Sequence, residues 1–314
     1  MQTLPDTAGR PRERQDAIAD LVPHMTALDR ATRLGAESAP QRGFARETLE
    51  RHAPTGTIAG LDNFCWPSCD DPRNMGALVR AAEACYDGAH AYRAPFISGK
   101  DSLKNEYKGK DRRIAIPPTL LISALGQLAD ARQAISMDFK SAGHHIYLVG
   151  SSDGAFAGSA YAAIHGLSGG RIPKVNPLAA KVLFARLHKA IATDLCKAVH
   201  DLAEGGVAVA AAEMALAGGI GCDLSHMAQA GSGLNNAELL FGESPTRFLV
   251  EVAPEKAEAF EHAMAGSPCH RVGGTVRDQR VRIAGADGAW AVWATLADIT
   301  KAFRGALPRL LGET

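Results

Sequence analysis

The sequence has no excess of charge of either sign: 34 Lys and Arg stand against 34 Asp and Glu in 314 residues. Proteins that grip nucleic acid need a basic face to neutralise phosphates, so this balance removes the electrostatic reason to expect one. No apolar run approaches the roughly 18–20 residues of a membrane-spanning helix, and none is expected. The first twenty residues, MQTLPDTAGRPRERQDAIAD, are polar and lack the apolar centre of a secretory signal. Cysteines are sparse and scattered. Cys65 and Cys69 form a C-x3-C pair, while Cys85, Cys196, Cys222 and Cys269 stand singly, so no zinc spacing emerges and reduced thiols in or near a core are expected. Also missing are a Walker A loop, a Ser/His/Asp order, a Cys/His nucleophile pair and a G-x-G-x-x-G fingerprint; Gly154 to Ser159 has the wrong spacing for the last. What is present is a globular composition, 46% hydrophobic and 22% charged, long enough for two domains. The expectation is a soluble, cytoplasmic protein.

Residues 1–56 are rich in Arg, Asp, Glu, Pro and Thr and read as a divergent, partly ordered leader. Within it, Ile18, Leu21, Val22, Met25 and Leu28 give a helical spacing over 16–28, interrupted by Pro23. From Thr57 the texture changes to alternating strands and helices. Strands are expected at 57–61, 95–98, 114–125, 146–149, 247–252, 271–276, 281–283 and 290–293. Helices are expected at 72–87, 177–192, 207–216, 254–265 and from 296 onward. The alternation places the chain in the α/β or α+β classes.

Three polar segments beside apolar elements are candidates for chemistry. Asp62-Asn63 offers hard oxygen donors for Mg²⁺, or an ordinary Asx turn. Ser98-Gly99-Lys100-Asp101-Ser102 combines a glycine that admits close approach, a cation and hydroxyls suited to phosphate, or forms a β-turn. His200-Asp201 with Glu204-Gly205-Gly206 opens a helix whose first N–H groups favour anions. There Asp201 either holds a metal or, like Glu204, caps the helix. Residue chemistry alone reaches a two-domain protein with Gly-rich loops suited to a magnesium nucleotide.

Several strings taken together resemble the second half of phosphoribosylformylglycinamidine synthase. They are Ile58 to Trp66 (IAGLDNFCW), Pro95 to Leu103 (PFISGKDSL) with Asn105-Glu106, and Ile116-Pro117-Pro118-Thr119. Further on come His200 to Met214 (HDLAEGGVAVAAAEM), Gly218 to Cys222, and Leu240 to Arg247 (LFGESPTR). The resemblance covers about residues 57–310. Aminoimidazole ribonucleotide synthetase and related ATP-using enzymes share the architecture and match these strings less well.

The resemblance implies an α+β fold of the aminoimidazole ribonucleotide synthetase type. Residues 57–131 would form a ferredoxin-like A-type domain, N-terminally truncated, and residues 132–314 a mixed-sheet B-type domain. It implies an ATP-dependent ligase in purine biosynthesis that turns formylglycinamide ribonucleotide into formylglycinamidine ribonucleotide. Mg²⁺ and ATP, or a structural ADP, would be its cofactors. A first-half synthetase region and a glutaminase subunit would be its partners, and without the first half the isolated chain would be inactive. Carried over by position, Gly99, Lys100 and Asp62 are nucleotide-binding residues, Ser102 a substrate-binding residue, and Asn63 and Asp201 metal positions. Lys100 stands where the family's shorter form has a metal-binding asparagine, although the longer form also shows G-K-D-S. The shorter form's nucleotide-binding aspartate falls on Gly60 in an ungapped alignment, and on Asp62 only after a local shift. Ala203 replaces a serine that touches nucleotide in the longer form. The alternatives are a non-catalytic nucleotide-binding or structural half-subunit, or another ATP-using member of the same superfamily.

Overall fold

The computed structural model describes residues 58–126, 128 and 130–311. The leader and its helical spacing at 16–28 lie outside the described residues. The chain divides into two compact units, one running to Ala131 and including Lys174–Leu178, the other comprising Arg132–Pro173 and Ala179 onward.

In the first unit, β1 (Ile58–Cys65) is the centre of a three-stranded sheet, parallel to β2 (Phe96–Ser102) and antiparallel to β5 (Thr119–Gly126). Between β1 and β2 runs α1 (Pro72–Tyr92), the crossover that two parallel neighbours require. Pro72 opens α1 where its missing N–H costs nothing, and the Asp71 carboxylate accepts from the Arg73 N–H as N-cap. One face of α1, through Ala81, Ala84, Cys85 and Ala89, packs with Phe64, Trp66 and Phe96. The Trp66 indole N–H donates to the Asn74 carbonyl at 2.9 Å, so the buried ring keeps its polar atom satisfied. A small hairpin, β3 (Glu106–Lys108) with β4 (Arg113–Ala115), precedes β5. The expected single strand over 114–125 is therefore two strands in different sheets. Pro117-Pro118 lies between them, where proline cannot donate to a ladder.

The second unit holds a seven-stranded mixed sheet in the order β12-β11-β8-β10-β6-β9-β7. Its strands are β6 (His145–Val149), β7 (Ala198–Asp201), β8 (Gly221–Leu224), β9 (Phe248–Val252), β10 (Cys269–Val276), β11 (Arg280–Ala284) and β12 (Trp290–Thr295). The helices are α2 (Ala160–Ile164), α3 (Pro177–Ala192), α4 (Gly206–Gly218), α5 (Asn236–Phe241), α6 (Ala257–Ala263) and α7 (Leu296–Leu310). Strand alternation sorts the core into two layers. Ile146, Leu148 and Leu249 face α4 and α5, while Tyr147, Val149, Val250 and Val252 face α3 and α6. Two helices and two strands of this unit not expected from the sequence are α2, α5, β7 and β8. The expected helix over 254–265 is a 3-10 turn at Pro254–Lys256 followed by the shorter α6. No described helix is long and apolar enough to cross a membrane.

A carboxylate is taken into this core. Glu251 of β9 is wholly buried, and its carboxylate accepts from the Lys140 and Ser141 N–H groups at 2.8 and 3.1 Å. The His144 ring nitrogen Nδ1 lies 2.7 Å from the same carboxylate. His144 thus closes a structural network at the start of β6.

Candidate functional site

Five of the six candidate residues lie on adjacent strands of the first unit. The ladder pairs Asp62 with Gly99, Asn63 with Lys100 and Cys65 with Ser102. Neither expected turn exists: β1 runs through Asp62-Asn63, and β2 continues through Ser102. Polar residues sit mid-strand here because β2 is exposed from Ile97 to Asp101 and needs no apolar alternation.

Being inside a strand divides the candidates between two faces, since successive side chains point to opposite sides. Asp62 lies over Gly99: a Cβ built there would stand 1.6 Å from Asp62 Oδ1 and 2.7 Å from its Cγ. A side chain at 99 would therefore force the Asp62 carboxylate to move. On the opposite side, Cys65 Sγ donates to Asn63 Oδ1 at 3.2 Å, and Lys100 Nζ donates to Ser102 Oγ. The reading of Asp62 and Asn63 as adjacent ligands of one ion is thereby corrected, because the pleat separates them. Two pairs replace it, Asp62 with Gly99 on one side and Lys100 with Ser102 on the other.

Asp201 ends β7 in the second unit, its side chain 71% exposed. His200 beside it is packed, with Nε2 2.8 Å from Glu213 Oε2 on α4 and Nδ1 3.5 Å from Asp201 Oδ1. The capping reading of Asp201 and Glu204 is also corrected. The N-cap of α4 is Gly205, at φ +80°, with no side-chain cap of its own. Its N–H donates to Glu243 Oε1 at 2.9 Å, and the same oxygen accepts from the Ala160 N–H at 2.7 Å. A carboxylate supplied from a distant loop thus occupies the anion-favouring groups.

That loop, Gly242-Glu243-Ser244, carried no assigned role in the sequence reading. Ser244 Oγ donates to Asp153 Oδ1 at 2.6 Å, and the buried Arg247 donates to the Ser244 carbonyl, Ser152 Oγ and the Gly242 carbonyl. Burial draws the Arg247 guanidinium down to about 10, against the pull of Asp153 and Glu243, and it stays charged at neutral pH. Gly206, at φ +63°, passes so close to this loop that a Cβ would stand 2.5 Å from the Gly242 carbonyl oxygen. The signal in the sequence was a charged cluster abutting an apolar strand, but its partners lie 38 to 95 residues away.

Residues 141–285 match the family described as AIR synthase related protein, C-terminal domain. The chain is 35% identical over 220 residues to the phosphoribosylformylglycinamidine synthase subunit PurL of Methylocella silvestris, covering 69% of this chain and 29% of the relative. It is 34% identical over 256 residues to that of Alkaliphilus metalliredigens, covering 81% of this chain and 34% of the relative. Together these matches support a place in the AIR synthase-like superfamily. It spans about a third of the length of the curated relatives it matches. Among solved structures, Thermotoga maritima PurL complexed with FGAR superposes with a TM-score of 0.61 at 16% identity, covering 91% of this chain and 44% of that one. The hydrogenase maturation protein HypE superposes at 0.55 with 15% identity, covering 79% of this chain and 80% of that one. These likenesses bear out the α+β fold of the AIR synthase type.

For a superfamily member expected to hold a magnesium nucleotide, the donor chemistry fits. Asn63 and Asp201, the two expected metal positions, each carry a hard oxygen of the kind Mg²⁺ takes, while Asp62 lies on the other face of β1 from Asn63. Among the described residues no cluster of three or more His, Cys, Asp or Glu is placed to hold a metal ion.

Proposed function

We propose that this chain forms the second half of a phosphoribosylformylglycinamidine synthase, a cytoplasmic ATP-dependent carbon–nitrogen ligase of purine biosynthesis. In the whole enzyme, phosphoryl transfer from ATP activates the amide oxygen of formylglycinamide ribonucleotide. Ammonia then displaces phosphate to give the amidine. A first-half synthetase region completes the substrate site, and a glutaminase subunit supplies the ammonia. Bound Mg²⁺ would neutralise phosphate charge, which is most of what such a transfer asks of a site.

The observation that carries this reading is the pairing of Asp62 with Gly99 on adjacent strands, with Lys100 and Ser102 joined on the other side. In the proposal, Gly99 lets a nucleotide approach the backbone and Asp62 accepts from it. Lys100 neutralises phosphate, and the Ser102 hydroxyl, already accepting from Lys100, contacts substrate. Asn63 in one unit and Asp201 in the other are the proposed metal positions.

Calorimetric titration with ADP and ATP, with and without Mg²⁺, tests it. Magnesium-dependent binding that weakens at least tenfold in Asp201→Ala is expected. No binding by a folded wild-type chain would remove the proposed site. A second reading is a stand-alone, non-catalytic nucleotide-binding half. Nucleotide binding without turnover, even after a first-half partner is added, would select it.

A further inference from the structure

Two of the chain's three tryptophans, Trp290 and Trp293, lie on β12, the outermost strand of the seven-stranded sheet, and stand 42% and 63% exposed. Residues three apart in a regular strand point to opposite faces. Here the register with β11 shifts between Ile283 and Ala284, so that Trp290 pairs with Ala284, Trp293 pairs with Arg282, and both rings come to one face. The Arg282 guanidinium lies 4.4 Å from the Trp290 ring centre and 4.9 Å from that of Trp293. Asp223 in turn accepts from Arg282 Nε at 2.8 Å and from Arg280 at 3.3 Å, and Arg280 also meets Asp278. Two cations and two carboxylates are thus paired among themselves, and the rings are held by the cation they flank. On the other face of the strand, Val292 packs into the α4 layer. The outer edge of β12 has no strand beside it. It lacks the usual guards of such an edge: Trp290–Thr295 has no charge and no proline, and its irregularity is confined to the first pair.

We propose that β12 is the interface of a homodimer, pairing antiparallel with β12 of a second copy about a twofold axis perpendicular to the sheet. Backbone groups along an open edge are answered by water or by another strand, so the edge selects an extended partner. Charge selects which one. Arginines already neutralised offer little to an acidic or a basic peptide, whereas a strand without charge meets no like charge in its own copy. The twofold keeps equivalent faces together, so the two Trp-Arg-Trp ladders become neighbours, and pairing centred on Trp293 sets that ring against its own equivalent. Rings already fixed lose little further freedom on association, and Trp and Arg are the residues that most often anchor interfaces. A six-residue strand with two rings is a small interface, so the dimer is one that comes apart on dilution.

The test is sedimentation velocity on the whole chain over roughly 1–500 µM, with tryptophan emission and hydrogen exchange at both ends of that range. The mass is expected to rise from 33.0 kDa towards twice that value. Dilution should shift the emission to the red, and the change belongs to β12 because Trp66, the third ring, is 2% exposed. Amides of 291–295 should gain protection as concentration rises, which side-chain stacking alone would not give. Trp293→Lys sets a charge against its own equivalent and is expected to weaken the dimer about tenfold or more. Because it also breaks the ladder, Ala291→Lys is the second variant: it keeps both rings and Arg282 and is expected to weaken the dimer likewise, with thermal unfolding to show that each variant folds. A chain that stays at 33.0 kDa at every concentration overturns the proposal. So does a dimer that both lysine variants leave intact, or one that falls instead with Leu121→Lys on β5, an uncharged edge of the other sheet. Self-association without added protection in β12 overturns the strand pairing.

Discussion

The two sheets solve the same packing problem with opposite materials. In the second unit, β6 and β9 are buried on both faces, and four of the five residues in each are fully buried. In the first unit, β1 buries Phe64 against α1, but Asp62, Asn63, Lys100 and Ser102 sit within the ladder, and Leu121 and Leu125 of β5 stand exposed. A sheet covered on both faces can tolerate a polar group only when every hydrogen bond is supplied, as at Glu251. A sheet with an exposed face can carry polar chemistry in its strands, and the candidate nucleotide residues lie there.

The largest effect should come from breaking the covered sheet at its wholly buried carboxylate. Glu251→Ala strands two backbone N–H groups and the His144 ring, and is expected to cost about 3–5 kcal/mol, read from urea unfolding. Hydrogen exchange should place the loss in the second unit and leave α1 and β1 protected. A cost under about 1 kcal/mol would mean the network is not the buried one described.

Next comes the exposed-face sheet, attacked where two strands touch most closely. Gly99→Ala drives a methyl into the Asp62 carboxylate and is expected to destabilise by about 1–3 kcal/mol while abolishing nucleotide binding. Binding at wild-type strength in a folded Gly99→Ala chain would dissociate the nucleotide from this pair of strands.

The smallest effect concerns a partly buried charge on β8, an inner strand of the covered sheet. The Asp223 carboxyl is held below the usual carboxylate range by hydrogen bonds from Arg282 and then Arg280, against burial. A depressed folded pKa stabilises above the unfolded value, and that contribution is lost as pH falls through the folded one. Asp223→Asn should therefore cost about 1–2 kcal/mol at pH 7, with the gap to wild type narrowing at pH 3. Urea midpoints at the two pH values check the sign, and a gap that widens in acid would refute it.

The legibility of the sequence follows the same division. Where strands are buried on both faces, continuous apolar runs such as Ile146 to Val149 announce themselves. Where a face is exposed, polarity concealed the strands: Asp62-Asn63 and Gly99 to Ser102 read as turns because turn residues are polar too. Short elements such as α2, α5 and β8 give too few residues for any period to show.

By itself the sequence determined the alternation of elements, the apolar layers of the second unit and, through its resemblances, the superfamily. Local propensity and burial pattern are written in neighbouring residues, and these needed nothing else. Only the tertiary structure decided that Asp62 rests on Gly99, that Asn63 faces away from it, that Glu243 rather than Asp201 or Glu204 serves the start of α4, and that Glu213 reaches His200. Each of these depends on strand register or on contacts across tens of residues, and a one-residue change of register would reverse every facing.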